Sequence, residues 1–99
     1  MTVVVEQAAP QTTPIADALR MAADTIEALP YARVTGQVTV LPALQAHAGS
    51  FAGFALDLLV AHLRSIGQDP VVLYRWSTPL ATAQVAEWLR DAAGQAVES

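Results

Sequence analysis

Two histidines, five arginines and nine carboxylates are the side chains here able to do chemistry; cysteine and lysine are absent. No thiolate nucleophile, disulfide or cysteine-bound zinc or iron–sulfur centre can therefore be built. His62 is the most informative of them. It lies in FAGFALDLLVAHLRSI, residues 51–66, where a buried imidazole needs a hydrogen-bond partner or else serves as an acid–base group or a contact at a subunit boundary. His47 stands fifteen residues earlier, and no carboxylate accompanies the pair at ligand spacing, so no metal site is predicted and no cofactor is implied. The serines at 50, 65, 77 and 99 have no base close in sequence. With no phosphate-cradling glycine loop and no nucleophile elbow, no catalytic residue is assigned and the expectation is a non-enzymatic protein.

A second set of residues is suited to recognition. Asp57 and Arg64 are seven apart, which on a helix places them on one narrow polar strip two turns from each other. In residues 32–41, Arg33, Thr35, Gln37 and Thr39 alternate with Val34, Gly36, Val38 and Val40, the pattern of a half-exposed strand. Tyr74, Arg75 and Trp76 close the segment VVLYRW and belong to the residue types enriched at interface hot spots. Tyr74 and Trp76 have two readings at this level, a helix-facing core or an interface.

These side chains must be carried by helices and strands. At a 100° step the apolar residues of 51–66 sweep most of the circle, leaving only Gly53, Asp57 and Arg64 polar or small, so this segment reads as a buried central helix covered on at least two sides. Ser50 is placed to cap its start and Gly67 to take the left-handed position after its end. Thr13-Pro14 opens a first helix that runs to about Leu29, with Ile15, Leu19, Ala22, Ile26 and Leu29 as its stripe. Ser77-Thr78-Pro79 opens a last helix to Ala93, with Val85, Trp88, Leu89 and Ala92 inward and Gly94 ending it. Ala43–Gly49 is undecided between short helix and loop. With strands at 32–41 and 71–76, the predicted fold is α/β (or α+β): a small two-layer α-β-α-β-α domain with a short sheet and helices on one face. Parallel strands joined by a right-handed crossover are favoured, with antiparallel pairing the alternative. Residues 1–12 read as a flexible arm in which Thr2-Val3-Val4-Val5 offers an extra strand, 13–94 as one domain, and 95–99 as a frayed tail.

At 99 residues there is material for one domain. A formal charge of −4 repels the phosphate backbone that supplies most non-specific affinity for nucleic acid, so DNA or RNA is an unfavoured partner. The opening MTVVVEQ lacks the basic region of a secretory signal, and Asp57, His62 and Arg64 interrupt the most apolar run, so no membrane association is predicted and a cytoplasmic location is expected. Twenty alanines without a single asparagine or lysine carry the mark of a GC-rich genome.

The run ALRMAADTIEALPYARVTGQVTV, residues 18–40, resembles the opening of small uncharacterised proteins of actinobacteria and their phages, in which a helix of the ALRxxADxIEA type leads into a strand. Those proteins follow the helix with an acidic, proline-containing linker, where this chain has Leu29-Pro30-Tyr31. The resemblance implies a bacterial or phage origin and carries over no activity or site residue. The functional expectation is a protein–protein interaction module, homodimeric or an accessory subunit, contacting its partner through Tyr74, Trp76, Arg75, Arg33, Asp57 and Arg64. Two alternatives stand beside it: a nucleic-acid-associated regulator using arginines of the sheet face, and a small enzyme or ligand binder using His62.

Overall fold

A computed structural model describes residues 14–98. The arm expected over residues 1–12, with its extra strand, lies outside the described residues, as does the cap expected at Thr13. Among the described residues the chain is mainly helical, with α1 at Pro14–Glu27, α2 at Leu41–Ala48, α3 at Ala52–Ser65 and α4 at Thr82–Glu98. Its strands are two short segments, β1 at Arg33–Thr35 and β2 at Pro79–Ala81, paired antiparallel with Val34 opposite Leu80. This corrects the two-layer α-β-α-β-α domain, and the parallel crossover with it.

The helical periodicities explain what packs. On α1, Leu19, Ala22 and Ile26 are fully buried, and on α4 so are Val85, Leu89 and Ala92, with Trp88 nearly so. These two stripes make the most extensive helix–helix contact in the molecule. Ala16, Ala18, Ala23, Ala86 and Ala93 fill it out, and such small side chains let two helix backbones approach closely. Leu59 and Leu63 of α3, Leu44 of α2 and Leu73 complete the core.

Both long strands expected from sequence are absent, for reasons that lie in neighbouring residues. After Thr35 the chain enters a π-helical turn, Gly36–Val40, which runs into α2. Val40 and Leu44 are both buried and stand at helical spacing, so the valine alternation is outvoted by the period that follows it. Gly36 is also pressed against Leu73, where an added Cβ would lie 2.6 Å from the Leu73 carbonyl. The segment VVLYRW is preceded by Asp69-Pro70, whose carboxylate accepts the Val71 N–H at 3.0 Å. That cap, with proline at the first helical position, winds Pro70–Tyr74 into a 3-10 turn. Pro79, expected to open the last helix, instead opens β2, a position where a strand tolerates proline. The helix starts at Thr82, whose N–H donates to the Ala32 carbonyl, and it continues through Gly94 to Glu98.

The central helix has the expected C-terminal end. Gly67 adopts a φ of 80°, Gln68 N–H donates to the Leu63 carbonyl and Gly67 N–H to that of Arg64, which is a Schellman motif. Its start differs. Ser50 makes no cap; it sits in a 3-10 turn, Gly49–Phe51, that joins α2 to α3 with Gly49 at a φ of 56°. Nor is α3 enclosed: it buries Ala55, Leu59, His62 and Leu63 while Phe51 and Phe54 are exposed. The helical stretch Gly36–Ser65, 30 residues, is long and apolar enough by length and composition to cross a bilayer, whereas the shorter run 51–66 taken alone suggested no span.

Candidate functional site

His62 is only 7% exposed and is held by two side chains one turn apart on α4. Gln95 Nε2 lies 3.1 Å from its Nδ1. A primary amide nitrogen donates, so Nδ1 accepts and the imidazole hydrogen sits on Nε2. Nε2 faces Asp91 Oδ2 at 3.5 Å, too far for a hydrogen bond of good geometry. Ser65 directs its hydroxyl to the His62 backbone carbonyl at 2.7 Å and is thereby withdrawn from the ring. The imidazole is thus packed between α3 and α4 and hydrogen-bonded at Nδ1, while its buried Nε2–H has no hydrogen-bond partner among the described residues. Asp91 and Gln95 were missed from sequence, although their i, i+4 spacing beside the buried stripe of α4 marks them as two polar groups on one line of that helix.

His47, from the undecided segment, lies on α2, where its Nε2 meets Thr25 Oγ1 of α1 at 2.9 Å. Among the described residues no group of three or more metal-ligating side chains converges. A cluster of charged side chains lies at the surface: Arg90 of α4 reaches Asp24 at 2.7 Å and both oxygens of Glu27 at 2.8 and 3.2 Å. The hydrogen bonds and charge of Arg90 hold the Glu27 carboxyl below its ordinary range, and the two carboxylates raise Arg90 in turn.

The residues singled out for recognition are all exposed. Arg33 is on β1, Asp57 and Arg64 are on the outward side of α3, Tyr74 ends the 3-10 turn, and Arg75 and Trp76 follow it. The open sheet face expected to set Arg33 beside Tyr74 and Trp76, or beside Arg75, does not exist, because β1 is three residues long; Asp57 and Arg64 keep the helical strip expected of them. A groove replaces the sheet face. Val60 and Arg64 of α3 form one wall and Asp69, Pro70, Val71 and Tyr74 the other, so Arg64 and Tyr74 meet on a surface made without a sheet. A second groove lies beside the first half of α3, between Leu41, Leu44 and Gln45 on one side and Ala52, Gly53 and Leu56 on the other. Neither is lined by His62. Trp76 is 70% exposed, Phe54 61% and Tyr74 45%, which answers the core-or-interface alternative for Tyr74 and Trp76: within one chain they are surface residues. No protein-family model, curated protein or solved structure matches the chain.

Proposed function

We propose that this chain is a non-enzymatic protein–protein interaction module whose contact surface is the outer side of α3 together with the 3-10 turn and loop at 70–76. One observation carries this reading. Of the nine exposed large apolar side chains among the described residues, six, namely Phe51, Phe54, Ile66, Val71, Tyr74 and Trp76, fall between residues 51 and 76. Scattered apolar residues are ordinary on a protein surface, but large ones concentrated in one stretch of chain, two of them, Val71 and Tyr74, lining a groove against α3, are of the residue types that make an interface core. Arg64, Arg75 and Asp57 are exposed around it and supply the polar rim that such interfaces carry.

The competing uses have less support. The net charge of −4 opposes nucleic acid and anionic lipid alike, and the packed imidazole of His62 lines neither of the two grooves. With the resemblance over residues 18–40, the natural setting is an accessory subunit of a bacterial or phage assembly in the cytoplasm.

Affinity capture tests the reading by comparing the native chain with a variant carrying Phe54→Ser, Tyr74→Ser and Trp76→Ser, all at exposed positions. Capture of a protein, including a second copy of the chain, by the native chain and its loss in the variant at unchanged thermal stability is the expected result. Equal capture by both, no capture by either, or binding to vesicles of phosphatidylcholine, with or without anionic phosphatidylglycerol, that depends on the same three residues overturns it.

A further inference from the structure

The interaction reading leaves the partner open, and the outward side of α3 narrows it. At the helical step, Gly53, Asp57, Val60, Ala61 and Arg64 fall within about 100° of circumference. Asp57 and Arg64 are exposed, and neither takes part in an ion pair or side-chain hydrogen bond among the described residues, whereas Arg20 pairs with Asp17 and Arg90 with Asp24 and Glu27. An acid and a base of opposite sign, equally far from the point between Val60 and Ala61, make a self-complementary strip. Turned through a two-fold axis at that point, each Asp57 meets an Arg64. Gly53 and Ala61 lie on the same strip without bulk, and the space beyond Gly53 is open, so two such helices can approach closely.

The grooves obey the same symmetry. Both lie on the flank of α3 that carries Leu56 and Val60, one beside residues 52–56 and the other beside residues 60–64. An antiparallel pairing therefore sets the apolar groove of Leu41, Leu44 and Leu56 opposite the Val71 and Tyr74 rim of a second copy. Area requires this too. A stable dimer buries about 800 Å² on each partner; a 14-residue helix about 21 Å long and about 10 Å wide falls short of that, and the groove walls extend it.

Resting on the interaction reading, we propose that the partner is a second copy of this chain, bound by antiparallel two-fold pairing of α3 with α3, with Asp57 against the partner subunit's Arg64 in both halves. The contact is isologous, so each charge pair occurs twice.

Sedimentation equilibrium on the native chain, on Asp57→Arg, on Arg64→Asp and on the double exchange tests it, together with air oxidation of Ala61→Cys and Asp57→Cys in a chain that has no other cysteine. The native chain is expected to dimerise and each single reversal to weaken the dimer about tenfold or more, since two attractions become two repulsions. The double exchange restores it, as does mixing the two single variants. In the Ala61→Cys variant the thiol lies next to its own symmetry mate and forms the disulfide dimer; in the Asp57→Cys variant the two thiols stand about 10 Å apart along the axis and do not. A native dimer indifferent to the reversals, or one that crosslinks through Asp57→Cys in place of Ala61→Cys, overturns the pairing while leaving the interaction reading intact. A native chain that stays monomeric to millimolar concentration overturns the second copy as partner, and the capture comparison above then decides the interaction reading separately.

Discussion

An imidazole buried to this degree has two explanations that make different demands on substitution. If His62 is a packing residue, what matters is its volume, because its partners can do without it: Asp91 is exposed and Gln95 half-buried, so both can turn to water. Replacing a buried polar group by an apolar one of similar size is often close to neutral when no partner is left stranded. His62→Leu is therefore expected to change stability by less than about 1 kcal/mol, and His62→Ala to cost about 2–4 kcal/mol through the cavity it leaves between α3 and α4. Urea denaturation of the two variants checks this. A large loss in the leucine variant as well would show that the contacts to Asp91 and Gln95, and not the volume, hold the two helices together.

At the scale of elements, the close approach of the π-helical turn to the 3-10 turn is what replaces the expected sheet. Gly36→Ala directs a methyl group at the backbone of Leu73, which cannot rotate away as a flexible side chain would. The expected loss is about 2–4 kcal/mol, read as a lower denaturation midpoint, and a change under about 0.5 kcal/mol would mean that the two turns do not touch in solution. That same contact shows why the sequence was legible in some elements and not in others. α1, α3 and α4 were readable because Leu19, Ala22 and Ile26, then Leu59 and Leu63, then Val85 and Leu89 repeat at the period of the surface they bury, and Gly67 marks its cap by a conformation few other residues accept. The segments 36–40 and 71–74 were misread because branched and aromatic residues favour strands only where a partner ladder exists, and β2 offers three residues. Asp69-Pro70 carries the same start signal as Thr13-Pro14, and the valines after it follow that signal into a helical turn. The site divides in the same way. The strip of Asp57 and Arg64 follows from helical geometry alone, whereas the grooves and the hold of Asp91 and Gln95 on His62 join residues far apart in the chain, 33 positions in the case of Gln95, and no local pattern announces such contacts.

Taken whole, the molecule is held by two helices far apart in sequence, α1 and α4, which meet along alanine-rich stripes and are tied across the surface by Arg90. Its partners Asp24 and Glu27 are 66 and 63 residues away, so the contact forms only when the fold closes, and its pH dependence reports on global stability. The sign follows from Glu27, whose carboxyl is held below its ordinary range by the hydrogen bonds and charge of Arg90. Between the folded and unfolded values the unfolded chain binds the extra proton, so stability rises with pH there. The contribution is fully present above the ordinary glutamate range, about pH 4.3, and is lost as the pH falls through the lowered folded value, while Arg90 stays charged throughout. Arg90→Gln should therefore lower the urea midpoint modestly at pH 7 and hardly at all near pH 2, with the gap at pH 7 narrowing in high salt because the cluster is exposed. A gap that persists unchanged in acid would assign the effect to the aliphatic stem of Arg90 packed between the helices, and the link between α1 and α4 would then be apolar from end to end.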